Sequence, residues 1–432
     1  MILYSPISCK MRGCMIENTQ FMSANEYLEK MHILQNKHIL LGISGSISAY
    51  KMFDLVRKLK IEGAEIRVIL TRGAKAFVAP LPFEVFTGHR VYTDIFEFSS
   101  DYPTLHIDLA NWADILVISP ATAHILAKLS QGLADDLLTS IALALDKPIL
   151  LCPSMNDKMY KKNIVQENIK RLKQLGFYLV EPVVGRLASY KVGTGRLPEI
   201  DDIIEVIKSI FMPKDLRGYK ILVSAGPTRE PIDPIRFLSN YSSGRMGFSL
   251  AKIAWLRGAE VTLVSGPTAL KPPYGVHFIS IETAEEMKEA IINQFSRVDA
   301  VIMAAAVTDF RPVYSEKKIK RQKGVVLNLE ENPDILKELG KKKKGQVLIG
   351  FSAETGDVFL EASRKLKEKS LDLIVANDVT LPGAGFCVPT NRVTVIGKDG
   401  VYEQWPVMSK EEVAMRLFDR IRELLRKRDA HN

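Results

Sequence analysis

This sequence predicts an α/β protein of two doubly wound (Rossmann-like) domains with mainly parallel sheets, the second closing with a C-terminal β-hairpin and helix. Three observations predict it. Apolar runs of strand length alternate with amphipathic segments from Lys37 onward, a Pro and charges interrupt that alternation at Phe211–Asp215, and 432 residues exceed the ~100–200 of one domain. The domains expected are residues 37–212 and 213–432, behind an extension over residues 1–36.

The extension shows no strand pattern and carries one short helix at Asn25–His32; it is read either as an arm for a partner or as disorder. In the first domain, strands are expected at Lys37–Ser44, Ile66–Thr71, Asp114–Ser119 and Pro148–Cys152, with a helix over Ser48–Ile61 and another near Ile200–Ile210. Such continuous apolar strands belong in a sheet covered on both faces. Past the break, strands are expected at Lys220–Ser224, Val261–Ser265, Ala300–Ala304, Val347–Phe351 and Leu373–Ala376, and helices at Met246–Arg257, Thr283–Ser296 and Gly356–Lys369. Asn391–Ile396 and Val401–Trp405 make the hairpin, and the last helix starts at Ser409. Gly63-Ala64-Glu65 and Gly258-Ala259-Glu260 echo each other, but any doubly wound fold needs a glycine after a helix and a strand next, so the echo speaks for architecture alone.

Lys and Arg total 59 against 50 Asp and Glu, a net charge of +9 spread along the chain, which favours anionic small molecules over nucleic acid. Cys9, Cys14, Cys152 and Cys387 show neither a disulfide framework nor zinc spacing, so a reducing cytoplasm is expected. Met1–Gln20 lacks the apolar core of a signal peptide, and no run of ~18 apolar residues occurs, so a membrane is not expected either.

After the first strand, Gly42-Ile43-Ser44-Gly45-Ser46-Ile47-Ser48 offers backbone N–H groups and hydroxyls to a phosphate, without the GxGxxG spacing of a dinucleotide site. Thr71 and Arg72 end the second strand. His106-Ile107-Asp108-Leu109-Ala110 precedes the third, which runs into Ser119-Pro120-Ala121-Thr122-Ala123-His124, with Asp135-Asp136-Leu137-Leu138 and Pro153-Ser154-Met155-Asn156-Asp157-Lys158-Met159 beyond. Singly, each is a structural histidine, a helix cap or a turn. Together they resemble the flavin-dependent cysteine decarboxylases, and from Lys37 to the C-terminus the chain resembles the bifunctional phosphopantothenoylcysteine decarboxylase/phosphopantothenate–cysteine ligase family of coenzyme A synthesis.

The resemblance implies FMN lined by Ser44, Gly45, Ser46, Thr71, Ser119, Ala121 and Thr122, with His106 as acid/base residue and Met155 and Asn156 at the substrate carboxylate. In that family the flavin first oxidises the C–S unit to a thioaldehyde, which accepts the electrons released with CO2. This chain departs from the family at three places. His124 stands where an Asn is usual, and Ser189 and Tyr190 replace the Cys-Gly of the substrate clamp Ala188-Ser189-Tyr190-Lys191-Val192-Gly193-Thr194-Gly195-Arg196. The family's Cys gives the last proton; a serine hydroxyl is a far weaker acid, so Tyr190, Lys191 or His124 is expected to supply it.

In the second half, Ser224-Ala225-Gly226-Pro227-Thr228-Arg229-Glu230 follows a strand, and Asn240-Tyr241-Ser242-Ser243-Gly244-Arg245-Met246 opens a helix with hydroxyls and N–H groups at its positive end. Ala304-Ala305-Ala306-Val307-Thr308-Asp309, Lys318-Ile319-Lys320-Arg321 and Asn332-Pro333-Asp334-Ile335 follow in the order of the family's ligase half. The resemblance implies CTP and Mg²⁺, an acyl-cytidylate held by Asn240, nucleotide contacts from Ala305, Ala306, Val307 and Asp309, and phosphate charge met by Lys318. Asn332, Pro333, Asp334, Ile335, Phe351, Lys365 and Lys369 complete the implied site, and no segment marks the Mg²⁺ ligands. Lys365 and Lys369, four apart, share a helical face and are expected to meet one anion; Lys341–Lys344 are expected to form a solvated loop. The family further implies homo-oligomers, trimers through the flavin half and dimers through the ligase half. The alternatives are a ligase whose flavin-fold half binds FMN or scaffolds the oligomer, and a dehydrogenase, which the missing GxGxxG disfavours.

Overall fold

The computed structural model describes residues 32–95, 104–186, 190–320, 324–354, 357–378, 383, 385 and 387–430. Ser189, and the expected helix at Asn25–His32 apart from His32, lie outside them. Leu34, which the sequence places in the extension, is fully buried in the first core, so the last residues before Lys37 belong to the packed fold.

In the first half, β1 (His38–Ile43), β2 (Glu65–Leu70), β3 (Ile115–Ala121), β4 (Ile149–Pro153) and β5 (Tyr178–Leu179) form a parallel sheet in the order β2-β1-β3-β4-β5. That is the flavodoxin-like doubly wound order, with its topological switch point between β1 and β3. Helices α1 (Met52–Ile61), α2 (Pro80–Thr87), α3 (Leu105–Trp112), α4 (Ala123–Gln131), α5 (Leu137–Ala144), α6 (Asp157–Tyr160) and α7 (Asn163–Gln174) connect them; a 3₁₀ turn, Ile47–Lys51, replaces the start of the helix expected at Ser48. An antiparallel ribbon of β6 (Val183–Arg186) and β7 (Val192–Arg196) precedes α8 (Ile200–Phe211). Period-two alternation sorts side chains between two cores: Ile39, Leu41 and Ile43 face one cluster and Leu40 the other.

The second half opens with β8 (Lys220–Ala225), a ribbon of β9 (Glu230–Pro231) and β10 (Phe237–Leu238), and α9 (Arg245–Leu256). There follow β11 (Glu260–Ser265), β12 (His277–Ser280), α10 (Ala284–Phe295), β13 (Ala300–Met303), the paired β14 (Phe310–Pro312) and β15 (Leu329–Glu331), α11 (Ile335–Lys342), β16 (Val347–Glu354), α12 (Val358–Glu368) and β17 (Leu373–Asp378). Short β18 (Thr390–Asn391) pairs with β21 (Met408–Ser409) around the hairpin of β19 (Val393–Gly397) and β20 (Tyr402–Gln404), and α13 (Lys410–Asp429) ends the fold. The sheet order is β12-β11-β8-β13-β16-β17-β19-β20, parallel as far as β17 and antiparallel beyond it, as the hairpin required. Ser409 caps α13, its hydroxyl accepting the Glu412 N–H at 3.1 Å while the Glu412 carboxylate accepts the Ser409 N–H.

A seam joins the halves. Ile33 and Trp255 each pack against the core of both, and Trp255 meets Tyr274 edge to face at 5.4 Å. Lys252 of α9 bridges Glu205 of α8 and Glu411 of α13, 2.8 Å from each. Burial raises Glu205 and would lower Lys252, but these carboxylates leave the lysine above its ordinary value.

Phe418 is the largest side chain of α13 fully enclosed in the second core. Phe418→Ala is expected to cost about 3–5 kcal/mol, read as a lower urea midpoint with an unchanged slope.

Candidate functional site

At the carboxyl edge of the first sheet, hydroxyls stitch the loops together. Ser44 Oγ donates to the Pro120 carbonyl at 2.7 Å and accepts the Thr122 N–H at 3.1 Å. Ser46 caps the 3₁₀ turn, accepting the Ser48 N–H, and Ser48 Oγ lies 2.8 Å from Ser154 Oγ. Thr71 Oγ1 donates to the Ile43 carbonyl at 3.2 Å. The turns after β1 and β2 touch at their backbones: a Cβ on Gly45 would lie 2.9 Å from the carbonyl carbon of Gly73. The result is a hydroxyl-rich floor at the switch point, with a helix start among its walls, which fits the phosphate of FMN.

Ser119 and Ala121 lie in the floor and not in a loop, because β3 runs two residues past its expected end; both are fully buried. The Ser119 hydroxyl faces the Cys152 thiol, which burial pushes up to about 12 against that hydroxyl's opposing pull. Cys152 is a free cysteine fully buried in the first core, where burial favours the neutral thiol.

The β6–β7 ribbon carries the segment that the resemblance implies as the clamp. Met155 N–H donates to the Gly195 carbonyl at 2.9 Å and Thr194 N–H to Asp157 Oδ1 at 2.8 Å. Gly195 has φ +131°, and a Cβ there would fall 2.3 Å from the Met155 carbonyl oxygen. Asn156 caps α6, accepting the Lys158 N–H at 2.9 Å. His124 is exposed in the first turn of α4, and Tyr190 is exposed at the foot of the ribbon's tip. His106 is half-buried in the first turn of α3, which packs on α5; the hydrogen bonds joining the loops do not include it. Asp157 had no signal of its own in the sequence.

At the carboxyl edge of the second sheet lies a cavity of about 660 Å³. Asn240, Ala305, Ala306, Val307, Asp309, Asn332, Pro333, Asp334, Ile335, Phe351, Lys365 and Lys369 all line it, drawn together from five separate stretches of chain. Asn240 is held from both ends, its Nδ2 donating to the Ala306 carbonyl at 2.5 Å and its Oδ1 accepting the Ser242 N–H at 3.0 Å. Ser242, Ser243 and Gly244 bring the positive end of the twelve-residue α9 to the cavity. Asn332 donates to the Thr308 carbonyl at 2.9 Å.

Three expectations change. Lys318 is exposed and is not among the lining residues; its neighbour Ile319 is tied down by Asp233, which accepts the Ile319 N–H at 3.1 Å. Hydrogen bonds from the Arg236 guanidinium, with the N–H groups of Ile235, Ile319 and Arg236, hold the Asp233 carboxyl well below the usual carboxylate range. Lys365 and Lys369 do line one cavity but meet different carboxylates, Glu354 and Asp334, and Lys369 has already left the helix as its C-cap. Lys341–Lys344 is not a solvated loop: Lys341 and Lys342 finish α11, and Lys343 pairs with the buried Asp372. Burial pushes Asp372 up, but Lys343, Lys398 and the Leu348 N–H more than offset it. Sequence reasoning missed Arg245, Ser352, Asn377, Asn391 and Lys410 in the cavity wall. Ser352 and Asn377 sit in apolar strands that read as core.

Among the described residues no group of three His, Cys, Asp or Glu is placed to hold a metal, and no helix is long and apolar enough to cross a membrane.

A hydroxyl-lined flavin-type floor and a nucleotide-sized cavity on successive sheets define a two-site enzyme of the flavoprotein class. Residues 27–212 match the family model described as Flavoprotein, and residues 216–425 that of the DNA/pantothenate metabolism flavoprotein C-terminal domain. The chain is 44% identical to the coenzyme A biosynthesis bifunctional protein CoaBC of Bacillus subtilis (strain 168), covering 90% of this chain and 97% of that one. It is 40% identical to the protein of the same description from Vibrio vulnificus (strain YJ016), covering 91% and 100%. Among solved structures, the C-terminal domain of a coenzyme A biosynthesis bifunctional protein CoaBC is 45% identical with a TM-score of 0.44, covering 50% of this chain and 99% of that one. The chain belongs to the family of coenzyme A biosynthesis bifunctional proteins.

Two outcomes follow from the geometry. Gly195→Ala forces the ribbon off Met155 and is expected to lower CO2 release on the order of 10²-fold while pyrophosphate release is unchanged. Asp233→Asn frees the Lys318 loop and is expected to do the reverse. Because the Asp233 pKa is depressed, the clip's contribution is complete above the ordinary carboxylate value of about 4 and fades only as pH falls through the lower folded value. The wild-type ligase rate should accordingly show no loss at pH 5 from this group.

Proposed function

We propose that residues 213–432 ligate 4′-phosphopantothenate to cysteine with CTP, and that residues 37–212 decarboxylate the resulting phosphopantothenoylcysteine to 4′-phosphopantetheine with FMN. The family assignment makes the protein a bifunctional enzyme of coenzyme A synthesis; the assignment of steps to residues is ours. The observation that carries it is the single cavity in which twelve residues implied for the ligase site converge.

In the ligase step a carboxylate oxygen attacks the α-phosphorus of CTP and pyrophosphate leaves; the cysteine amine then displaces CMP and forms the amide. Asn240, immobilised between Ala306 and Ser242, presents a fixed amide to the acyl-cytidylate. The N–H groups at Ser242–Gly244 and the Arg245 side chain offer positive potential to the phosphates. Lys365 and Lys369, now paired with Glu354 and Asp334, exchange those carboxylates for phosphate oxygens. A bound Mg²⁺ would supply positive charge against the departing pyrophosphate. Lys318 is assigned to phosphate charge from a loop that lies outside the cavity wall.

In the decarboxylase step, bound FMN supplies reversible two-electron chemistry. Ser44, Gly45, Ser46, Thr71, Ser119, Ala121 and Thr122 would hold it at the floor. Met155 and Asn156, pinned by the ribbon, orient the substrate carboxylate. His106 moves the proton as the acid/base residue. With Ser189 in the clamp and Cys152 buried in the core, the final proton comes from Tyr190, Lys191 or His124. The protein works in the cytoplasm as a homo-oligomer, with trimers through the first half and dimers through the second. The second reading, ligation with a flavin half that binds FMN or scaffolds without efficient decarboxylation, is favoured by that same loss of a thiol.

Incubation with phosphopantothenate, cysteine, CTP and Mg²⁺ tests both. CO2, pyrophosphate and the saturated thiol are expected in equal amounts; pyrophosphate without CO2 leaves the second reading, and no pyrophosphate removes both.

A further inference from the structure

The ribbon leaves the first sheet at Glu181 and Pro182, between β5 and β6, and other parts of the fold meet it there. Tyr160, the last residue of α6, donates its hydroxyl to Glu181 Oε2 at 2.7 Å, and Lys173 of α7 donates to Oε1 at 2.5 Å. The main chain on either side is fixed as well: the Val180 N–H donates to the Leu151 carbonyl at 3.0 Å, and Pro182 is buried. From the second half, Tyr274 packs against the first core, and a hydrogen bond with the Glu181 backbone opposes the rise that burial gives its phenol. Glu181 is thus a carboxylate on an anchored backbone, and what it pulls on is α6. That helix has four residues and starts at its cap, Asn156, which is too short to hold an orientation by its own hydrogen bonds. Its first turn is tied to the far strand of the ribbon, Met155 to Gly195 and Asp157 to Thr194. Its last residue, through Glu181, is tied to the ribbon's near end.

We propose that Glu181 is a positioning residue for decarboxylation: its bond to Tyr160 closes a ring of contacts that sets α6, with Met155 and Asn156, against the β6–β7 ribbon. It touches no reacting atom in this role. This rests on the reading that residues 37–212 decarboxylate phosphopantothenoylcysteine and that Met155 and Asn156 meet its carboxylate. With the Tyr160 end loose, α6 pivots about its tie to Gly195, and the substrate carboxylate meets Asn156 in a spread of poses, which lowers the rate without any group of the site being lost. The floor for FMN, built at the ends of β1, β2 and β3, does not depend on that bond.

Full-length Tyr160→Phe, Glu181→Ala, the double variant and Glu181→Gln, each loaded with FMN, are compared with wild type on phosphopantothenoylcysteine supplied directly. Tyr160→Phe and Glu181→Ala are each expected to lower kcat/KM for CO2 release roughly fivefold, with FMN affinity and pyrophosphate release unchanged. The double variant is expected to fall no lower than Glu181→Ala, because both changes break one bond. Glu181→Gln, which keeps an acceptor for Tyr160, is expected to stay near wild type. Hydrogen exchange reads the same contacts without turnover: the Met155 and Thr194 amides are expected to exchange faster in Tyr160→Phe and Glu181→Ala than in Glu181→Gln. The proposal is overturned if Tyr160→Phe leaves kcat/KM at its wild-type value or those amides as protected as before. It is equally overturned if the two single losses multiply in the double variant, if Glu181→Gln does as badly as Glu181→Ala, or if FMN affinity falls in step with activity. Should Glu181→Ala not fold, Tyr160→Phe and Glu181→Gln decide. Wild type that releases no CO2 refutes the underlying reading instead, while faster exchange in Tyr160→Phe still upholds the ring of contacts.

Discussion

Parallel strands all end on one edge, and the rest of the molecule depends on that constraint. Each crossover returns the chain to the amino edge, so every strand delivers its following loop to the same side, where backbone N–H groups lack partners in the sheet. In the first half, Ser44, Thr71, Thr122 and Ser154 all follow strand ends and bond to one another or to neighbouring loops. In the second, the β8–α9 connection carrying Asn240, the loop with Ala305 after β13, and the last residues of β17 reach one cavity at that edge. Close packing keeps the edge accurate: a Cβ on Gly247 would fall 2.5 Å from that of Ala225, so α9 lies directly on β8 and its first turn arrives at the cavity.

The halves differ in how they close that edge. The first uses a ribbon, held by the backbone of Gly195 and the carboxylate of Asp157, which leaves the floor open at the ribbon's sides. The second uses depth. Lys365 and Lys369 are already matched to carboxylates before any ligand arrives, so anion binding at them is an exchange of partners, and the surplus charge of the chain is felt as long-range attraction.

Most of this was legible in the residues because turn chemistry and phosphate chemistry use the same types: Gly, Ser, Thr and Asn after an apolar run. Element types followed from periodicity, and errors fell at boundaries, as in β3, whose apolar Ala121 continues a strand that Pro120 was expected to end. What stayed hidden depends on partners far along the chain. Lys343 looks like its neighbours until Asp372 is brought beside it, and Leu34 looks like a tail until the sheet covers it. Ser352 and Asn377 sit among valines and isoleucines, where only register shows that they have passed the sheet's rim.

The seam has a consequence for supply. Ile33 and Trp255 pack against both cores and Lys252 ties α9 to α8, so the two halves touch as well as share one chain. A cell that makes this chain holds its ligase and decarboxylase sites at a fixed one-to-one ratio through synthesis and turnover alike, with no separate dosage to balance.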